Sequence, residues 1–151
     1  MATEIEYKFL VNEEKWNALS KPEPSLIVQT YIHKSKEVTV RVRIKGTSAF
    51  LTIKGKTIGM SRSEFEYEIP ISDAEEMIEQ FSTKHIRKYR YEIPMGKHIW
   101  EVDVFEGKLK GLTLAEIELD SEDETFEKPD WITKDVSLDA SYYNAVLIEK
   151  C

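Results

Sequence analysis

Glu4, Glu6 and Lys8 occupy alternate positions in Glu4-Ile5-Glu6-Tyr7-Lys8, with Ile5, Tyr7 and Phe9 interleaved. In an extended strand, residues two apart share a face, so the ions form one row and the apolar side chains the opposite row. Two carboxylates on one face can hold a hard divalent cation, and a neighbouring lysine can hold the anion that travels with it. A solvated strand can carry the same pattern without function. Here the pattern recurs. Arg41 and Arg43 alternate with Val40, Val42 and Ile44, and Lys54 ends Thr52-Ile53-Lys54. Glu64, Glu66 and Glu68 alternate with Phe65, Tyr67 and Ile69, and Lys88 and Arg90 with tyrosines. Glu101 and Asp103, then Glu116 and Glu118, repeat it with acids. Like charges on one short strand repel, which is destabilising unless something compensates. Acidic strands facing basic ones, with metal and phosphate between them, would do so.

The elements that must position these rows are strands. Alternation and turn residues predict eight of them, at about 3–11, 26–33, 37–44, 49–54, 61–71, 85–93, 98–105 and 113–120. A short helix over 13–20 ends at Lys21-Pro22-Glu23-Pro24. Ser72-Asp73-Ala74-Glu75 reads as a capping box that opens a helix over 74–81. Pro94-Met95-Gly96-Lys97 reads as a hairpin turn, and the region around Pro129-Asp130-Trp131 as irregular. An amphipathic helix is expected over 140–150. Short connections favour an antiparallel sheet. The class is therefore mainly β with some α, as an open sheet or a closed eight-stranded barrel. Periodicity alone is compatible with the ionic faces pointing outward to water or inward to a lumen.

At 151 residues the chain suits one domain spanning 1–151. A 41% apolar and 32% charged composition describes a globular protein richer in ions than average. No apolar run is long enough to span a membrane, and the charged opening lacks a secretory core, so no membrane partner is expected. The one cysteine, Cys151, fits a reducing cytoplasm. A net charge of −7 argues against nucleic acid as a partner, while basic rows inside an acidic exterior suit a small anion. His33, His85 and His98 lack ligand-like spacing, and Trp16, Trp100 and Trp131 read as core. There is no Ser-His or Cys-His nucleophile set and no glycine-rich phosphate loop.

The rows also carry a resemblance. Glu4-Ile5-Glu6-Tyr7-Lys8 resembles the Glu-x-Glu-x-Lys opening of the CYTH family of triphosphate tunnel metalloenzymes. Val40-Arg41-Val42-Arg43, Leu51-Thr52-Ile53-Lys54 and Arg62-Ser63-Glu64-Phe65-Glu66 resemble its later strands. Lys88-Tyr89-Arg90, Glu101-Val102-Asp103 and Glu116-Ile117-Glu118 follow in the family's order. Asp139-Ala140-Ser141-Tyr142-Tyr143-Asn144 keeps the tyrosine and asparagine of a C-terminal motif, but has Ala140 and Ser141 where lysine and arginine are usual. The resemblance implies a closed eight-stranded tunnel whose charged lumen binds a triphosphate with Mg²⁺ or Mn²⁺. The sequence leaves the assembly open between monomer and homodimer.

The resemblance further implies Glu4, Glu6, Glu116 and Glu118 as metal ligands, with Glu64, Glu66 and Asp103 as further candidates. Lys8, Arg41, Arg43, Lys54, Lys88 and Arg90 would grip phosphate, with Arg62 assisting. Apart from the resemblance, Lys88 beside a tyrosine such as Tyr31 is expected to serve the attacking water as a base, if close cationic neighbours depress the lysine's pKa. The short bacterial members point to hydrolysis of inorganic triphosphate to pyrophosphate and phosphate. The alternatives are a nucleoside or thiamine triphosphatase, a class IV-type adenylate cyclase, or a non-catalytic polyphosphate-binding module. The cyclase branch's His-Phe opening is absent.

Overall fold

The computed structural model of the protein describes residues 2–82 and 84–151. Their strands are β1 Ala2–Val11, β2 Ser25–Lys34, β3 Val38–Lys45, β4 Ser48–Gly55, β5 Ser61–Ile69, β6 Ile86–Met95, β7 His98–Phe105, β8 Thr113–Glu118 and β9 Ile132–Asp135. All pairings are antiparallel, in the order β5-β4-β3-β2-β6-β7-β8-β1-β9, and β5 also pairs with β1. That extra pairing closes β1 to β8 into a barrel, as expected. The ninth strand lies in the stretch expected to be irregular. Ala2 to Ile5 of β1 face β5, whereas Phe9 and Val11 face β9, so β9 continues the seam where β5 stops.

Local chemistry sets the turns. Lys45 pairs with Ser48 and Met95 with His98, leaving two-residue hairpin loops led by Gly46 (φ +59) and Gly96 (φ +62). That left-handed conformation favours glycine. The second turn is therefore tighter than expected, with Pro94 and Met95 remaining in β6.

Helix α1, Glu13–Ala18, starts where the Asn12 side chain accepts from the Lys15 amide. It stops before residue 20 because Leu19 is extended and Lys21 Nζ donates to the Trp16 and Leu19 carbonyls. Helix α2, Ile71–Phe81, starts earlier than expected, and the capping box is not formed. Pro70 has no N–H to continue β5, so the strand ends at Ile69; the Pro70 carbonyl instead accepts from Asp73 and Ala74. The expected helix over 140–150 is broken into a 3₁₀ turn at Ala140–Tyr142, α3 at Asn144–Leu147, and a second 3₁₀ turn at Ile148–Lys150. Tyr143, extended at ψ 137, causes the break, and its hydroxyl is anchored on the Ser137 carbonyl at 3.1 Å.

The apolar rows face outward and are largely covered, although Phe65 and Tyr67 of β5 and Ile99 of β7 stay exposed. Ile5 and Phe9 of β1 pack with Trp100, Val102, Ala115 and Ile117, beneath Trp16 of α1 and Trp131. Trp16–Trp131, Trp100–Trp131 and Phe9–Trp100 meet edge to face at 5.2, 6.0 and 5.6 Å. On the far wall, Ala74, Met77 and Ile78 of α2 cover Val42, Ala49 and Leu51. A third cluster closes one end of the barrel, where Leu10, Tyr31, Ile86, Phe105 and Leu114 meet Val136, Leu147 and Ile148 from the C-terminal segment. No helix is long and apolar enough to cross a membrane among the described residues.

Trp100 is fully buried at the centre of the aromatic cluster. Trp100→Ala should lower the unfolding free energy by about 3–5 kcal/mol in urea titrations followed by circular dichroism.

Candidate active site

With their apolar partners packed outside, the ionic rows point inward. They line a cavity of ≈ 970 Å³ running along the barrel. β1 contributes Glu4, Glu6 and Lys8, β3 contributes Arg41 and Arg43, and β4 contributes Lys54. Arg62, Glu64 and Glu66 come from β5, Arg90 from β6, Glu116 and Glu118 from β8, and Tyr31 from β2. Of the candidate residues, Lys88 and Asp103 are not in the lining; both stand on the same inward rows as Arg90 and Glu101 but are fully buried.

Most of these ions hold one another. Lys54 Nζ lies 2.8 Å from Glu4 and 3.5 Å from Glu64, and Arg62 Nε is 3.4 Å from Glu4. Lys8 is 3.4 Å from Glu116. Arg41 Nη2 approaches Glu66 at 3.6 Å, with the Thr52 hydroxyl linking the two. Arg90 forks onto Asp103 at 2.7 and 2.8 Å and also reaches Glu101 at 3.3 Å. Lys88 Nζ sits 2.7 Å from Asp103 and donates to Asn144 Oδ1 at 3.0 Å.

Ionisation follows the pairing. Burial pushes the Glu4 and Glu116 carboxyls up, but the ammonium groups of Lys54 and Lys8 respectively override it, and both settle at about 2. Asp103 is driven far below the usual carboxylate range, as Arg90 and Lys88 outweigh its burial. Lys88 falls to about 7 because burial, Arg90 and Arg43 outweigh the attraction of Asp103.

Of the candidate ions in the lining, three stand outside this pairing. Among the described residues, Glu6 and Glu118 meet no base, and Arg43 meets no acid. Glu6 and Glu118 sit directly opposite each other in the β1–β8 register. Burial raises Glu6 well above its ordinary value, with Glu116 and Glu4 adding repulsion. Glu118 keeps contact with solvent, yet partial burial and the facing Glu4, Glu64 and Glu101 carboxylates push it to about 7. Arg43 drops to about 9 through burial beside Arg41 and Arg90. Among the described residues its one side-chain partner is a neutral amide, Gln29 Oε1, at 2.8 Å.

This donor set fits a hard divalent cation. Among the described residues no three acidic, histidine or cysteine side chains converge to hold a metal unaided. The opposed Glu6–Glu118 pair is the motif for an ion that takes one or two carboxylates and fills its other positions with water and substrate phosphate. Uncompensated acid on one wall and uncompensated base on another suit an anion and its counter-cation entering together.

Other lining residues were not singled out as site candidates in the sequence. Glu101 continues the Asp103 row and Lys45 the Arg41–Arg43 row, so alternation could have found both. Asn144, Ala145 and Glu149 arrive from the C-terminal segment, where strand periodicity offers no signal. That segment is tied down by lysines. Lys8 Nζ donates to the Tyr142 carbonyl and Lys34 Nζ to the Ala145 carbonyl, while Lys84 Nζ donates to that of Glu149. Lys34 also pairs with the Glu149 carboxylate. His98 pairs with Glu124, whereas His33 and His85 are exposed, so none of the three is placed in the cavity.

The CYTH domain profile matches residues 2–144. A protein of Acetivibrio thermocellus named inorganic triphosphatase is 43% identical over 99% of this chain and 95% of its own length. One of the same name from Nitrosomonas europaea is 34% identical, covering 96% of each. Among solved structures, an inorganic triphosphatase superposes with a TM-score of 0.67 at 30% identity, over 98% of this chain and 95% of the other.

Glu118 carries a pH signature. Its carboxyl is pushed from its ordinary value of 4.5 to about 7 in the folded protein, so its contribution to stability is full below pH 4.5 and lost as pH rises through 7. Glu118→Gln should therefore raise stability relative to the parent at pH 8 but not at pH 4, in urea unfolding with chelator present.

Proposed function

The chain belongs to the CYTH family, and on that premise we propose that it hydrolyses inorganic triphosphate to pyrophosphate and phosphate with Mg²⁺ or Mn²⁺. The observation that carries this reading is the set of candidate site residues left unpaired among the described residues: Glu6 opposite Glu118, and Arg43. In this reading Glu6 and Glu118 hold the ion, with Glu4, Glu116, Glu64 and Glu66 close enough in the rows to assist. When bound, such an ion neutralises phosphate oxygens and orients the terminal phosphoryl group. Asp103 is spent on Lys88 and Arg90 and serves that pair instead.

Arg43 takes the phosphate chain first, since no protein carboxylate competes for it. Lys8, Arg41, Lys54, Arg62 and Arg90 then exchange their carboxylate partners for phosphate oxygens, a swap of one anion for another with little net desolvation. Water attacks the terminal phosphorus, the bridging P–O bond breaks, and pyrophosphate leaves with the electron pair. The water's proton needs an acceptor. We assign it to Lys88, a free amine above about pH 7, served from the cavity side by Tyr31. Both adjoin Phe105: Lys88 Nζ lies 5.3 Å from its ring centroid, and Tyr31 packs on the same cluster. A cytoplasmic setting accompanies this reading, on the one free cysteine.

Purified protein with Mg²⁺ should release phosphate from triphosphate with higher kcat/KM than from ATP or thiamine triphosphate. Glu6→Gln and Arg41→Ala should each lower that constant about ten- to a hundredfold, the worth of one charge-assisted contact in the transition state. Equal turnover in parent and variants, or a preference for ATP, would remove this reading.

The rate should also climb as pH passes through about 7, because deprotonating Lys88 creates the acceptor. Lys88→Gln should flatten that limb in initial-rate measurements between pH 6 and 10. A limb of unchanged position and height would take the base role from Lys88.

A further inference from the structure

The other predicted lumen bases are each held by a carboxylate, which orients the cation but also cancels its charge. Arg43 is held differently. Gln29 stands directly across from it in the β2–β3 register, and its Oε1 accepts from Arg43 Nε. Gln29 is fully buried and lies behind the lining, while Arg43 faces the cavity. The amide is poorly accommodated on its own account, because its Nε2 is buried without a partner among the described residues. An unpaired buried N–H is destabilising, and an apolar side chain would avoid it. What the amide supplies is an acceptor that fixes the guanidinium without neutralising it.

We propose that Gln29 is a positioning residue for triphosphate binding, which orients Arg43 through a neutral hydrogen bond and so keeps its full positive charge for the phosphate chain. This rests on the triphosphate reading above. A glutamate at the same position would keep the size and the hydrogen bond but add the missing carboxylate, making Arg43 one more self-neutralised pair. A leucine would keep the volume and remove the orienting contact.

The test is steady-state phosphate release from inorganic triphosphate with Mg²⁺, with melting curves for every variant. Gln29→Glu should lower kcat/KM at least about tenfold, chiefly through KM. Gln29→Leu should lower it by about three- to tenfold, and should change nothing further when added to Arg43→Ala, because its influence passes through that side chain. A role in packing alone would instead multiply with Arg43→Ala and follow the melting temperature. The proposal is overturned if Gln29→Glu matches the parent, or if Gln29→Leu and Arg43→Ala act independently. A parent protein active on triphosphate beside those results would confine the failure to Gln29. A parent that leaves triphosphate intact would sink the reading beneath it, and this proposal with it.

Discussion

A charge removed from water requires an opposite charge or loses its ionisation, and this constraint organises the interior of the barrel. The lumen meets it by pairing acids with bases across neighbouring strands: Glu4 with Lys54, Glu116 with Lys8, Asp103 with Lys88 and Arg90. Where pairing is complete, carboxyls sit at about 2, as for Glu4 and Glu116. Where it is incomplete, they rise, as for Glu6 and Glu118. The departures from neutral pairing are thus where an external ion would meet the least competition from a partner already in place. Had every charge found a partner, the lumen would be a stable ionic core with no affinity to spare.

An ionic interior demands that hydrocarbon be buried elsewhere. The protein places it outside the barrel, under α1 and the Trp131 segment on one wall and under α2 on another. At one end the inward rows themselves change character, ending in Leu10, Ile86, Phe105 and Leu114, and the C-terminal turns seat on them. Structure and site are therefore coupled through that segment. The residues that cover this apolar end also bring Asn144 to Lys88 and Glu149 to Lys34.

Much of this was readable from residue order. Alternation in β1, β3, β5 and β8 put the right side chains on one face, because a strand's period of two leaves no freedom once one residue is assigned. Which face would be internal was not contained in the period, and came from the ordered resemblance of the whole set. Pairing was invisible. Whether Asp103 meets a metal or the Lys88–Arg90 pair depends on strand neighbours 13 to 15 residues away in sequence, and alternation treats Asp103 and Glu118 alike. Gln29 was missed because a lone neutral amide in a mainly apolar strand carries no pattern. The C-terminal helix was overextended because apolar spacing over 140–150 is helical in period, while the extended Tyr143 is fixed by tertiary contacts to Ser137 and Lys8. β9 is four residues long, too short to register.

The strict inside–outside alternation also governs how such a chain can change length. Inserting or deleting one residue within β1 would slide Ile5 or Tyr7 into the lumen and turn Glu6 toward Trp100 and Trp131, exchanging the two environments for every residue beyond the edit. Substitutions inside strands are read one at a time, but indels there are read as inversions. Growth and loss of sequence are therefore least disruptive in connections that lie off the ladders and outside the core, chiefly residues 56–60 and 120–125, and the barrel's frame is kept by its own ionic bookkeeping.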